Sequence, residues 1–434
     1  MRLERLVGWL ATAIAHVFYR VDVIGAPPAS GPLLLLPNHP NALLDPAIVI
    51  ATAGRPVRFL AKSTLFRGGS GLLMRAAGAI PVYRKQDAIQ LRRNGETFAA
   101  VDAALARGEA ICLFPEGISH SSGMLEPLRT GAARMALSAA AAGIDVRLVP
   151  VGINLERKTA FRSRVTIAYG VPLEVPLAER VQEDVNAAQA LTSRIAVHMR
   201  SVIVEAEPTR DAALVERLDR LYQSERDPVG REEALARRRA IAEGLQRLRR
   251  ERPDWYEEAL VQLRRYDERL TRFGMEDAAL DWNVSHTAAS RFVVREVPAA
   301  LVLLPVGLLA ALVFAVPYAL TAGAARLSKG MDVTATTKVL GGTVLYAAWI
   351  ALWSGTAWWL WGAAAAWGTA LLLPALAVAG LFAIERESAA WETARAWLAV
   401  RGAHPRTRKA LRRRRAELAV VLEQVYEWMA QAER

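Results

Sequence analysis

Two stretches of this 434-residue chain, 297–325 and 339–384, contain no charged residue. A run of about 20 apolar residues is enough to cross a bilayer's hydrocarbon core. These segments therefore constrain the fold more than any other feature, because part of the chain must lie in lipid. Between them Arg326, Lys329, Asp332 and Lys338 mark a polar loop. The second stretch carries Trp349, Trp353, Trp358, Trp359, Trp361 and Trp367. It is long enough for two spans, 339–360 and 365–384, with the tryptophans clustered as in an interfacial belt. As one straight helix the first stretch would measure about 43 Å, against a hydrocarbon core of about 30 Å. It also carries Pro305 and Pro317, so it is either a tilted, kinked span or a re-entrant hairpin.

Charge distribution selects between these. Residues 401–415 hold eight basic side chains and no acidic one, which places the tail 385–434 in the cytoplasm. If the N-terminal segment also works on cytosolic substrates, the number of full crossings between the two is even. The expected membrane domain is then 297–384, with 297–325 dipping in and returning and the two later segments crossing. The membrane expected is a bacterial inner membrane. At the other end, residues 6–18 are apolar but too short to span, and no small-residue cleavage site follows. Segment 1–19 reads as an interfacial amphipathic helix, with a plain core helix as the alternative.

Outside the membrane segments the chain is well charged, with 23% charged residues overall and a net charge of +12. A single cysteine, Cys112, excludes a disulfide-stapled fold. Residues 1–176 hold 20 basic and 12 acidic side chains, which suits an anionic partner. Only six of the basic residues are Lys, so compositional bias explains part of the overall charge. Nucleic acid is not the expected partner, because 210–272 balances 16 basic against 14 acidic residues with few aromatics. No His/Cys/Asp cluster has metal-ligand spacing, and no cofactor is expected.

From 20 to 206 short apolar runs alternate with helical stretches. Strands are expected at 33–36, 57–61, 79–83, 110–114, 146–151 and 164–169, and helices at 43–53, 64–76, 89–107, 129–142 and 178–206. This alternation predicts an α/β fold, a mixed sheet flanked by helices. Segment 207–296 carries no strand signal and reads as a charged helical hairpin or linker, followed by the small α-helical membrane domain.

Four segments carry chemistry. In LLLLPNHPNALLDP a buried strand delivers Asn38 and His39, with Asp45 at a helix start. A carboxylate can fix the tautomer of such a histidine, so that its other nitrogen takes a proton from a hydroxyl. Asp45 before Pro46 is equally a helix cap. In ICLFPEGISHSSG a strand leads into Glu116 and Gly117, then Ser119 and His120. Glycine allows close backbone approach, and the glutamate can anchor a substrate hydroxyl or orient a cation. Lys62 and Arg84, the latter in GAIPVYR, follow two further strands. Converging cations form a phosphate clamp, whereas singly each is an ordinary surface charge. VPVGIN at 149–154 is a strand entering a turn.

In kind and order, NHPNALLDP, GAIPVYR, FPEGISH and VPVGIN resemble the signature blocks of the glycerolipid acyltransferase superfamily, which includes the glycerol-3-phosphate and lysophosphatidic acid acyltransferases. The resemblance covers about residues 30–175. Five residues separate His39 from Asp45, where the family commonly has four, so a dyad requires His39 to stay on the loop. That spacing and the Ser-His after Glu-Gly look like the fungal-type glycerol-3-phosphate/dihydroxyacetone-phosphate acyltransferases, which also carry a C-terminal membrane region.

The resemblance implies acyl transfer from acyl-CoA or acyl carrier protein to a hydroxyl of glycerol 3-phosphate or dihydroxyacetone phosphate, in phospholipid biosynthesis beside a lipid bilayer. It implies that His39 is the base and Asp45 its orienter. Lys62 and Arg84 hold the acceptor phosphate, Glu116 and Gly117 position the glycerol, and Asn38 stabilises the oxyanion. Ser119 and His120 contact phosphate or pantetheine, or else fill a polar turn. The alternatives are a lysophosphatidic acid acyltransferase and a non-catalytic lysolipid-binding membrane protein.

Overall fold

The computed structural model describes residues 3–42, 44–83, 94–158, 160–175, 185–206, 209–282, 285–327 and 331–432. Two compact units emerge. The first holds 1–216, 229–243 and 330–336; the second holds 217–228, 244–329 and 337–434.

The first unit is built on an eight-stranded mixed sheet. Its strands are β1 (Tyr19–Ile24), β2 (Leu33–Pro37), β3 (Val57–Lys62), β4 (Ile80–Val82), β5 (Ala110–Cys112), β6 (Arg147–Leu155), β7 (Ser163–Tyr169) and β8 (Leu173–Glu174). The order is β1-β7-β6-β2-β5-β3-β4, with β8 pairing β6. β2, β3, β4, β5 and β6 run parallel, while β7 is antiparallel to β6. β2 is central because its sequence is apolar at every position: Leu33, Leu34, Leu35 and Leu36 are all fully buried. Such unbroken runs belong to strands covered on both faces, and each buried leucine contributes about 1.5–3 kcal/mol. The helices of this unit include α1 (Leu3–Phe18), α2 (Leu44–Thr52), α3 (Gly68–Ala76), α4 (Asn94–Ala106), α5 (Gly131–Ala141) and α6 (Val185–Arg200).

One expected helix is divided. Segment 64–76 is a 3-10 turn, Ser63–Phe66, followed by α3. The cause is local: a Cβ on Gly71 would lie 2.2 Å from the Phe66 carbonyl oxygen, so the glycine lets the helix close tightly onto the turn before it. Also helical are α7 (Thr209–Gln223), α8 (Arg231–Glu251) and α9 (Pro253–Arg272).

The second unit contains α10 (His286–Val313), α11 (Ala315–Leu327), α12 (Met331–Trp361), α13 (Ala363–Gly402) and α14 (Pro405–Ala432). Among the described residues, three helical segments are long and apolar enough to cross a membrane: Ala289–Val313, Thr337–Trp361 and Ala363–Gly402. α10 and α13 are antiparallel and close. A Cβ on Gly380 would meet that of Ala310 at 2.1 Å, and Arg386 pairs with Glu296 at 2.8 Å. α11 folds back along α12, with Phe314 stacked on Tyr346 at 5.5 Å and Thr321 beside Gly342. The Trp349 indole donates to the Val313 carbonyl at 3.0 Å, at the break between α10 and α11. Much of the basic run at the start of α14 is used inside this unit. Arg415, 3% exposed, donates to the Asp277 carbonyl at 2.6 Å and to Asp281 at 2.5 Å, and also pairs with Glu225.

Candidate active site

Parallel strands bring the ends of β2, β3, β5 and β6 to one edge of the sheet, where ligands of α/β folds bind. β2 delivers His39, β5 delivers Glu116, and β3 ends at Lys62. Arg84 lies outside the described residues.

His39 stays on the loop, and the dyad forms. Its Nδ1–H donates to Asp45 Oδ2 at 2.8 Å. The fifth intervening residue is absorbed by a turn: Leu44 N–H donates to the Asn41 carbonyl at 3.0 Å, and Ala42 sits at a φ of 36°. Asp45 occupies the first turn of α2 and also takes the Asn41 N–H at 2.7 Å on the same oxygen. The oxygen that orients His39 thus also fixes the turn leading into α2. Asp45 is fully buried, and burial raises its pKa above the ordinary carboxylate value. Bonds from His39 and Asn41, with the charges of His39 and Lys158, offset part of that rise. The His39 ring stacks on Phe114, centroids 3.8 Å apart at 16°, so Asp45 and Phe114 together fix the imidazole and direct Nε2 away from the carboxylate.

Glu116 is almost fully buried, and both its oxygens are taken by protein donors. Oε1 accepts the His39 N–H at 2.7 Å. Oε2 accepts the Glu126 N–H at 2.9 Å and the His120 Nε2–H. The role expected of it, anchoring a substrate hydroxyl, is therefore replaced by that of joining three loop segments. Gly117 is required at the turn by its φ of 71° and by Arg129, whose Nε would lie 2.6 Å from an added Cβ.

His120 has no nitrogen left for a substrate. Its Nε2 is bound to Glu116, and its Nδ1 lies 2.9 Å from the Ser122 hydroxyl, which also bonds the Met124 carbonyl at 3.1 Å. Burial alone would lower the His120 pKa; the bond and charge of Glu116 outweigh it and raise it. Ser119 lies half-buried on the same turn.

Asn38 is likewise committed. Its Oδ1 accepts the Ile153 N–H at 2.7 Å and its Nδ2 donates to the Ile153 carbonyl at 3.2 Å, so it fastens the loop after β2 to β6 and is not aimed at an oxyanion. Cys112 is buried on β5, and burial with the Asp45 charge pushes its thiol well above the ordinary range. It is core and not a nucleophile.

Two residues of the site had no sequence signal. The Tyr19 hydroxyl donates to the Lys158 carbonyl and accepts from Asn41 Nδ2, each at 2.6 Å. Lys158 Nζ donates to the Ser121 hydroxyl at 2.6 Å and to the His120 carbonyl at 3.1 Å. The second asparagine of NHPN was the one visible hint of this line.

Residues 20–154 match a family model described as Acyltransferase. The chain is 33% identical over 128 residues to glycerol-3-phosphate O-acyltransferase 1 of Saccharomyces cerevisiae, covering 28% of this chain and 17% of that protein. It is 28% identical over 197 residues to 1-acyl-sn-glycerol-3-phosphate acyltransferase alpha of Bos taurus, covering 40% of this chain and 65% of that one. It is also similar to the crystal structure of the 1-acyl-sn-glycerophosphate (LPA) acyltransferase of Thermotoga maritima, with a TM-score of 0.34 and 17% identity, over 45% of this chain and 77% of that chain. The chain thus spans about a sixth of the yeast relative and under two thirds of the bovine one. Residues 20–154 are an acyltransferase domain, similar to those of a yeast glycerol-3-phosphate acyltransferase and a bovine 1-acyl-glycerol-3-phosphate acyltransferase.

Proposed function

We propose that the protein transfers a fatty acyl group from a thioester, acyl-CoA or acyl carrier protein, to a hydroxyl of glycerol 3-phosphate or dihydroxyacetone phosphate at a membrane. The observation that carries this reading is the His39–Asp45 bond of 2.8 Å at the edge where β2, β5 and β6 end. His39 Nε2 takes the proton of the acceptor hydroxyl as its oxygen attacks the thioester carbonyl. Asp45 stabilises the imidazolium so formed. Collapse of the tetrahedral intermediate breaks the C–S bond, and the departing thiolate takes the proton back from His39. No acyl-enzyme forms. Lys62 and Arg84, the cations that the resemblance assigns to phosphate, hold the phosphate of the acceptor, and the catalytic domain and the tail face the cytoplasm.

The preferred acceptor follows from the five-residue His–Asp spacing and the Ser-His after Glu-Gly, together with the yeast relative's name. The longer match to the bovine protein favours lysophosphatidate as the second reading. An assay of the full chain with acyl-CoA and a panel of glycerol 3-phosphate, dihydroxyacetone phosphate and lysophosphatidate separates them. Turnover of a phosphorylated glycerol by wild type, abolished in His39→Ala, is the expected result. A lysolipid that binds while every acceptor fails would leave only a non-catalytic binding protein.

A further inference from the structure

Among the described residues, the lysine beside the dyad is one for which the sequence pattern carried no role. Lys158 lies three residues past the end of β6, the immediate neighbour of β2. Lys62 ends β3, and β5 separates β3 from β2. The His120 N–H donates to the His39 carbonyl at 3.2 Å, so the residue whose carbonyl holds the Lys158 ammonium is bonded to the backbone of the base itself.

The placement of the ammonium is deliberate. Ser121 Oγ, at 2.6 Å, and the His120 carbonyl, at 3.1 Å, hold Nζ against the loop that Glu116 ties to His39. The carbonyl of Lys158 is fixed in turn by the Tyr19 hydroxyl, which also holds Asn41 next to Asp45. Its charge acts on both Asp45 and His120. A lysine held at backbone and side chain beside a catalytic base has a fixed direction, and an ammonium suits phosphate as a point charge.

We propose that Lys158, aimed by Ser121, binds the phosphate of the acceptor. This assignment rests on the acyltransferase reading above and adds to it a cation that the sequence pattern did not mark.

The test is steady-state kinetics of the full chain in membranes, with acyl-CoA saturating and the phosphorylated acceptor varied. Lys158→Gln is expected to raise the acceptor KM tenfold or more with kcat within threefold, and Lys158→Arg to restore most of the affinity. Ser121→Ala, which removes the hydroxyl and leaves the lysine, is expected to raise the same KM about threefold, and it decides the matter if Lys158→Gln does not fold. An unchanged KM in the folded variants, or a fall in kcat alone, overturns the assignment and leaves Lys158 a loop fastening. Absence of acyl transfer to every phosphorylated glycerol in wild type overturns the acyltransferase reading itself.

Discussion

Glu116 holds His39 by its backbone: Oε1 accepts the N–H of His39 at 2.7 Å, while the other oxygen takes donors from His120 and Glu126. One buried carboxylate thereby sets the distance between the loop after β2 and the loop after β5. Glu116→Gln replaces an acceptor of three bonds with a group half of which can only donate. We expect a loss of about 2–4 kcal/mol in stability and a fall in kcat of about 10² from a displaced base. Acceptor KM should change much less. Thermal melting and steady-state kinetics on one preparation check both, and a large KM effect with kcat intact would return Glu116 to substrate binding.

Asp45 separates activity from stability. Its pKa is raised on folding, so the folded state binds its proton more tightly than the unfolded state does. That contribution is complete below the ordinary carboxylate value of 3.8 and is lost as pH rises through the raised folded value. At neutral pH the ionised buried carboxylate is therefore a cost. Asp45→Asn is expected to melt no lower than wild type at pH 7, while kcat drops by about 10⁴ through loss of the correct tautomer. A variant with reduced melting temperature and near-normal turnover would contradict the dyad.

His120 gives the fold a pH dependence of the same sign by a different cause. Its folded pKa is raised by Glu116, so its contribution is present below about 6.5 and is lost as pH climbs through the folded value. The slope of melting temperature against pH above 6.5 should be shallower in His120→Gln than in wild type. Equal slopes would contradict a raised His120 pKa.

Two glycines are predicted to be irreplaceable for steric reasons. A Cβ on Gly152 would lie 1.9 Å from the Val202 carbonyl oxygen, and one on Gly117 would strike Arg129 from a left-handed backbone. Gly152→Ala should cost about 3 kcal/mol or more, since backbone cannot yield as a side chain can. Gly117→Ala should cost less, because a flexible arginine can move aside. Denaturant titration orders the two.

The pairing of α11 with α12 predicts sidedness. Phe314 lies beside Tyr346 and Thr321 beside Gly342, so the chain runs in along α10 to the middle of α12 and back along α11. Cysteine substituted at Arg326 should react with a membrane-impermeant maleimide from the same side as one at Ala432, and cysteine at Ala364 from the opposite side. Cys112 is buried and stays silent. Labelling of Arg326→Cys from the Ala364 side would mean that α10 and α11 do not form a re-entrant pair.

The sheet was legible because Leu33–Leu36 and the other apolar runs are the physics of a doubly covered strand. The dyad was legible as a pair of residue types but not as a geometry, since whether Asp45 reaches His39 depends on the turn at Ala42. Tyr19 and Lys158 could not be read at all: they reach the site from other strands, and an aromatic or a lysine beside a strand reads the same wherever it points. Glu116 and Asn38 were seen as site residues, but their direction, toward backbone and not substrate, is set by tertiary contacts. In the membrane unit, Pro305 and Pro317 suggested kinks. α10 instead continues through Pro298 and Pro305, and the break falls at Phe314, which leaves Pro317 in the first turn of α11, where its missing N–H costs nothing.

The Tyr19 hydroxyl gives one bond and receives another, so its proton has no choice of direction. Asn41, Tyr19 and Lys158 form a polarised line that starts beside the Asp45 carboxylate and passes through the first residue after α1. Arg162 clamps that same junction, its backbone N–H donating to the Phe18 carbonyl at 2.7 Å. Force along α1 would thus arrive at Asp45 after only two side-chain hydrogen bonds and the Asn41 backbone. The His39–Asp45 pair and the first helix of the chain lie on one mechanical linkage, and neither can be displaced without loading the other.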